Sequence, residues 1–191
     1  MGLIAIVPQN AAAQDASGAT GPVPPAQVLT ISQRAVIFGA EMGKDIGVQA
    51  RKLAEPIQAD LQAKAKKIET EIADLVEKKD MLAPAKLQEE QERLVRERDS
   101  ILADAQDAER RMNYGIQQAQ AKLWQEEALP IALEIMKSRG ANMLVEEANV
   151  YLAGSGLDIT KAVIDKLNAT GKKVTVTLPK KGEMGGNQAA Q

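Results

Sequence analysis

From about Glu41 to Arg139 apolar residues recur at helical spacing, with one interruption at Met81-Leu82-Ala83-Pro84. Leu53, Ile57, Leu61, Ala65, Ile68, Ile72 and Leu75 follow one another at steps of three or four, which is one stripe of a helix and not the alternation of a strand. Leu87, Leu94, Ile101, Ala105, Ala108, Met112, Ile116, Ala119 and Leu123 form a second stripe. Both seams are coiled-coil-like. Pro84 lacks a backbone donor and drives its predecessor out of helical geometry, so the chain reverses there and the two arms run antiparallel.

Between the stripes nearly every residue is charged or Gln, as in Lys64-Ala65-Lys66-Lys67 and Glu89-Glu90-Gln91-Glu92-Arg93. The outer faces are therefore expected to be solvated and laced with pairs one turn apart. An arm from Lys44 to Lys79 spans roughly 54 Å at the rise of an α-helix. The second helix is longer and should run on into whatever body the arms grow from, with a kink at Pro130. Pairing about the tip sets Pro56 near Arg111, one turn from Gly115. Both arms are weakened at a similar height, which makes Pro56, Gly115 and Pro130 hinge candidates.

The arms leave few residues for a head, too few for a deep core in a single chain, and association is the usual remedy. Aromatics are 2% and charged residues 26% of the 191, a composition of long helices rather than of a pocketed enzyme. The chain has no Cys and no His. Thiolate and imidazole metal sites, Ser-His-Asp triads and Cys nucleophiles are thereby excluded. No phosphate-binding G-x-x-x-x-G-K-[ST] loop is present, and no cofactor is expected. The formal charge is −2, with arms of mixed sign and no aromatic stacking platform, so nucleic acid is not an expected partner.

Leu3-Ile4-Ala5-Ile6-Val7, then Pro8-Gln9-Asn10 and Ala11-Ala12-Ala13, look like the end of a secretory signal core and its cleavage site after Ala13. No stretch is long enough to span a bilayer. Residues 1–13 are accordingly expected to be a signal remnant, 14–26 an extended lead-in, 27–40 the first part of the head, 41–138 the hairpin with its tip near 81–85, 139–178 the rest of the head, and 179–191 a flexible tail that packs on nothing.

Val28-Leu29-Thr30-Ile31, Ala141 to Glu146, and Asn149 to Ala153 read as short strands, with a turn at Glu147-Ala148. Since the hairpin returns the chain to its origin, strands on either side of it must meet. Asp158-Ile159-Thr160 opens a helix from Lys161 to Asn168, with Ala162, Val163, Ile164 and Leu167 on its apolar face. Lys173 to Leu178 alternates and is expected to add an edge strand, closed by Pro179. The fold class is α+β: a long antiparallel helical hairpin inserted into a small β-containing oligomerisation head.

In this order of strand, hairpin, strands and Asp-Ile-Thr helix the chain resembles the Skp/OmpH family of periplasmic chaperones. The matching pieces are the first strand running into Ser32-Gln33-Arg34-Ala35-Val36, Gly43 at the start of the long helix, the Leu129-Pro130-Ile131 junction, Met143-Leu144-Val145, Val150-Tyr151-Leu152, and Leu157-Asp158-Ile159-Thr160 with Val163-Ile164 and Leu167-Asn168. The resemblance implies a periplasmic homotrimer with a joint β-body and three arms around a cavity, holding unfolded outer-membrane proteins without ATP. It also implies that head strands join the subunits, with Val28, Leu29, Ile31, Leu144, Val145, Val150 and Leu152 as candidates. Contact with a membrane surface is compatible with this picture; a membrane span is not.

Apolar residues outside the seam are the candidates for client contact: Val76, Met81, Leu82, Val95, Leu102 and Tyr114. Met81 and Leu82 are preferred, because a turn has little core to cover them and Met adapts to varied partners. For Val76, Val95 and Leu102 the favoured reading is a widened seam, and for Trp124 it is packing where arm meets head. Family members are often basic, yet Lys44 to Lys137 holds 16 Lys or Arg against 19 Asp or Glu, so no lipopolysaccharide site is carried over. A structural coiled-coil adaptor is the rival function. Catalysis by Glu146 and Glu147 is disfavoured because adjacent strand residues face opposite ways.

Overall fold

Ser32 converts strand into helix at the root of the molecule. Strand β1 spans Val28–Ile31, and the Ser32 hydroxyl accepts a hydrogen bond from the Ala35 amide at 3.4 Å, capping helix α1, Gln33–Gly39. This short helix was not foreseen; it buries Val36 and Ile37. The computed structural model describes residues 25–183, so the signal-type segment, most of the lead-in and the end of the tail lie outside the described residues.

After an extended Ala40, helix α2 runs Glu41–Lys78 through Pro56 without a break. Its start crosses α1 closely. A β-carbon built on Gly43 would lie 1.6 Å from the Ile37 carbonyl oxygen, so only glycine fits at this crossing. A 3-10 turn at Lys79–Met81 ends the outward arm, and Pro84 takes the first position of helix α3, Pro84–Lys122, where its missing N–H costs nothing. The reversal falls where the sequence places it.

Along the arms Ile68 and Leu94 are buried, as are Ala108, Gly115 and Ala119 nearer the head. Most of the remaining seam is half-buried, and Ala65 and Ile72, both placed in it by periodicity, are exposed. Two helices alone cover only a narrow face of each other. Near the head, residues Leu123–Ala128 form a π-helical turn in which the Leu129 N–H bonds to the Trp124 carbonyl, five residues back. Helix α4, Leu129–Ser138, follows with Pro130 in its first turn. The expected kink is thus a widened turn just before Pro130, which relieves the clash of the proline ring with the carbonyl four residues earlier.

Helix α4 ends in a Schellman motif: Gly140, at φ 68°, donates to Lys137, and Ala141 donates to Met136 at 2.9 Å. The chain is thereby turned into strand β2, Met143–Glu146, which pairs in parallel with β1 in the register Val28 to Met143 through Ile31 to Glu146. On the other side of β1 the Thr30 N–H donates to Leu157, and the Ile159 N–H donates to Thr30, both at 2.9 Å. Strand β1 is therefore central, and the far edge of β2 has no strand against it among the described residues.

The strand expected at Asn149–Ala153 does not form. A 3-10 turn at Glu147–Asn149 carries the chain away from β2, leaving nothing for it to pair with. Helix α5, Thr160–Ala169, opens where anticipated. The Asp158 carboxylate accepts from the Thr160 amide at 2.8 Å and from its hydroxyl at 2.5 Å, and that hydroxyl oxygen accepts from the Ser32 amide at 2.9 Å. Leu29, Ile31, Val36, Ile46, Leu123, Ile135, Ile159, Val163 and Leu167 make one core beneath these elements. Trp124 packs on its margin.

Two expectations about the C-terminus are corrected. Lys173 to Leu178 is extended but joins no ladder, and the tail beyond residue 179 does pack, at least as far as Lys181. The segment 172–181 lies across the bases of both arms as a strap. Gln49 of α2 donates to the Val174 carbonyl at 2.8 Å and accepts from the Val176 amide at 2.9 Å, while Arg111 of α3 reaches the Pro179 carbonyl at 3.5 Å. The alternating apolar residues need cover, and the arm base supplies it: Val176 is buried in the head core.

Candidate binding surfaces on the arms and head

The distal third of the hairpin carries an apolar groove of about 470 Å³, lined by Ile72, Leu75, Val76, Leu87, Leu94 and Val95 with Lys79, Gln91 and Arg98 at its rim. Leu75, Leu87 and Leu94 belong to the seam and form its floor. Val76 and Val95, one from each arm, stand on its walls at 60% and 48% exposure. They do not widen the seam as the sequence favoured. The helical rotation leaves them on one open flank, where their apolar surface meets water.

At the tip, Met81 is 77% exposed. Leu82 is not its equivalent: it is half-buried and lines a second hollow with Leu75, Leu94 and Arg93 on the opposite flank. Leu102 and Tyr114 are exposed but lie outside the distal groove. Ile72 belongs with the candidates, and periodicity alone concealed it. Its place in the stripe is regular, and only the partner arm's failure to cover it shows the difference.

Arg93 holds the two arms in register beside these hollows. Its guanidinium lies 2.7 Å from Glu71 across the hairpin, and 2.8 Å and 2.6 Å from Glu90 and Glu97 on its own helix. This planar fork satisfies three carboxylates at once. The Arg93 hydrogen bonds hold the Glu71 and Glu90 carboxyls below their usual range. Most other ion pairs on the arms join neighbours one turn apart and are solvent-exposed, as with Lys64 and Asp60 or Arg96 and Glu92, so they contribute little.

Lower down, Pro56 and Arg111 line the same hollow, as pairing about the tip anticipated, and Lys181 of the strap closes its side. Lys181 lies 2.5 Å from Asp104, and this hydrogen bond lowers the Asp104 pKa. Gly115 is buried beneath the strap. Pro56 and Gly115 thus sit where a third segment crosses both arms, a neighbour the sequence did not disclose.

In the head, Leu29 and Ile31 are buried in the chain's own core, so their side chains are not available to another subunit. Val28, Leu144, Val145 and Val150 are half-buried. Tyr151 and Leu152 are at the other extreme, with 108% and 92% exposure. They lie beyond the 3-10 turn at Glu147–Asn149 that leaves β2. Among the described residues no group of His, Cys, Asp and Glu is arranged to hold a metal ion, and no helix is long and apolar enough to cross a membrane.

A family model described as "Outer membrane protein (OmpH-like)" matches residues 27–167. A crystal structure of a Caulobacter crescentus CB15 protein, assigned as an OmpH-like outer membrane chaperone, superposes with a TM-score of 0.72 at 23% identity, covering 85% of this chain and 95% of that one. Comparison with curated protein sequences gave no match. The family match takes in β1, the hairpin, β2 and nearly all of α5, and the superposition reproduces the fold; the chain belongs to the OmpH-like family.

Proposed function

We propose that this protein is an ATP-independent holdase of the periplasm that assembles as a homotrimer and shelters unfolded outer-membrane β-barrel proteins between its arms. The observation that carries this is the distal groove, an apolar surface left open on a thin hairpin whose own seam does not need it. Stability alone would favour polar residues at Val76 and Val95. Each apolar side chain that a client half-covers there returns on the order of 1 kcal/mol, so a single contact is weak. Several such contacts on one tethered surface hold firmly while each exchanges rapidly. Release then requires no fuel, only a better acceptor.

An unfolded barrel strand alternates apolar and polar residues and exposes edges that pair with its neighbours. Enclosure by arms suppresses those encounters. Three arms need a joined head, and the exposed Tyr151 and Leu152, together with the open edge of β2, are the surfaces that support joining. Caging of this kind involves no catalysis, as is general for the OmpH-like family.

Two measurements test the proposal. Dilution of a urea-unfolded β-barrel protein into the purified chain should give no turbidity at one trimer per client; undiminished light scattering would favour the adaptor function. Sedimentation should give three times the chain mass with a large frictional ratio, and Tyr151→Ser with Leu152→Ser should reduce the mass toward that of one chain. A compact monomer from the unaltered chain would overturn the trimer.

A further inference from the structure

The strap is held in the manner of a guest. One side chain, Gln49, both donates to the Val174 carbonyl and accepts from the Val176 amide. That pairing of one acceptor and one donor is how a sheet edge receives an added strand, and it reads main chain rather than sequence. The side chains divide accordingly: Val176 is buried, Val174 and Leu178 are half-buried, and Thr175 and Thr177 face solvent. On α3 the strap runs over bare backbone at Gly115, where a β-carbon would come within 2.7 Å of the Thr177 carbonyl oxygen.

Val174-Thr175-Val176-Thr177-Leu178 therefore has the alternation of a barrel strand, and it sits in a trough that covers only the apolar half of that alternation. Its ion pairs, Lys172 with Glu127 at 2.7 Å, Lys173 with Asp45 at 3.3 Å and Lys181 with Asp104 at 2.5 Å, involve exposed lysines and bind weakly. The strap lies beyond the residues that the family model matches.

We infer that the trough between the arm bases, formed by Gln49, the bare face of Gly115 and the cover over Val176, is a receiving site for an extended polypeptide segment with alternating apolar side chains. The chain's own strap is its resident occupant. A client strand of the same alternation exchanges with the strap, so the site is closed when no client is present. This rests on the holdase function for the identity of the guest, but not for the existence of the seat.

The test uses the full-length chain with nitroxide labels on Thr175→Cys and Lys52→Cys, both at exposed positions in a protein otherwise free of cysteine. Because a tethered strap competes at an effective concentration on the order of millimolar, the first probe is several millimolar of a synthetic peptide of residues 171–183. The second is a urea-unfolded β-barrel protein. Each should convert most of the single short label distance into a longer, broader one, whereas the peptide with Asp at the positions of Val174, Val176 and Leu178 should leave it unchanged.

A short distance that survives both probes, while turbidity is still suppressed, would overturn the site and make the strap a fixed brace. Displacement by the peptide with no suppression of turbidity would keep the seat and remove the holdase function. A long distance that grows with chain concentration and no added probe would assign the seat to the strap of a second copy, which also overturns the client exchange.

Discussion

The carbonyl oxygen of Thr177 occupies the space that a side chain on Gly115 would need, 2.7 Å from the position of its β-carbon. Glycine within a helix ordinarily costs about 1 kcal/mol relative to alanine, so Gly115→Ala in a free arm would stabilise. Here it must push the strap outward, and overpacking of this kind costs about 1 to 3 kcal/mol. We expect a net loss of stability in urea unfolding, with faster amide exchange at Val176. Pro56→Ala, which touches no carbonyl of the strap, is therefore the cleaner probe of a hinge and should narrow the distribution of tip-to-tip distances between spin labels.

Gly43 is a stricter case. With the Ile37 carbonyl 1.6 Å from where a β-carbon would sit, no rotamer relieves the clash, and α1 must separate from α2. Gly43→Ala should cost roughly 3 kcal/mol or more, seen as a large drop in the urea midpoint. Gly47, with nothing within 4 Å of its β-carbon position, is the internal control: its alanine variant should be neutral or slightly stabilised.

The Arg93 cluster sets an acid limit on arm register. Glu71 and Glu90 are held below their ordinary value of 4.5 by hydrogen bonds from Arg93. A depressed carboxyl stabilises the folded arm fully above its unfolded value and loses that contribution as pH falls through the folded one. The contribution is thus intact above pH 4.5 and fades below it. Label distances between the arms should stay narrow to lower pH in the unaltered chain than in Arg93→Gln, whose arms should broaden at neutral pH as well. Because the cluster is only half-buried, high salt should weaken the difference.

Val76→Asp with Val95→Asp should leave helix content unchanged, since both side chains already face water, yet reduce suppression of turbidity several-fold. Leu102→Asp, outside the distal groove, should reduce it less. Equal effects from all three would mean that clients meet the arms without regard to this groove.

The arms were legible because a helical stripe of several heptads and a proline at the turn leave few alternatives. Strand β1 and the opening of α5 at Asp158-Ile159-Thr160 were legible for the same local reason. What escaped was decided between segments far apart in sequence. Asn149 to Ala153 has strand-forming residues, but it has no partner within one chain. Lys173 to Leu178 alternates correctly, yet its partner is the amide of Gln49 rather than a strand. At the groove, Val76 and Ile72 could be sorted from the seam only through the rotation of α2 against α3, which single-helix periodicity does not contain.

The parallel pairing of β1 with β2 has a consequence for how the molecule comes into being. Gln27 and Asn142, bonded at the mouth of this sheet, are 115 positions apart, and closing so long a flexible loop before anything else forms would be slow. The arms zip from their own tip through contacts between near neighbours and deliver the two ends side by side. A chain emerging amino end first therefore carries β1 unpaired until the whole excursion has passed. Shortening both arms by matched turns should accelerate maturation of the root, whereas mismatched deletions should stall it.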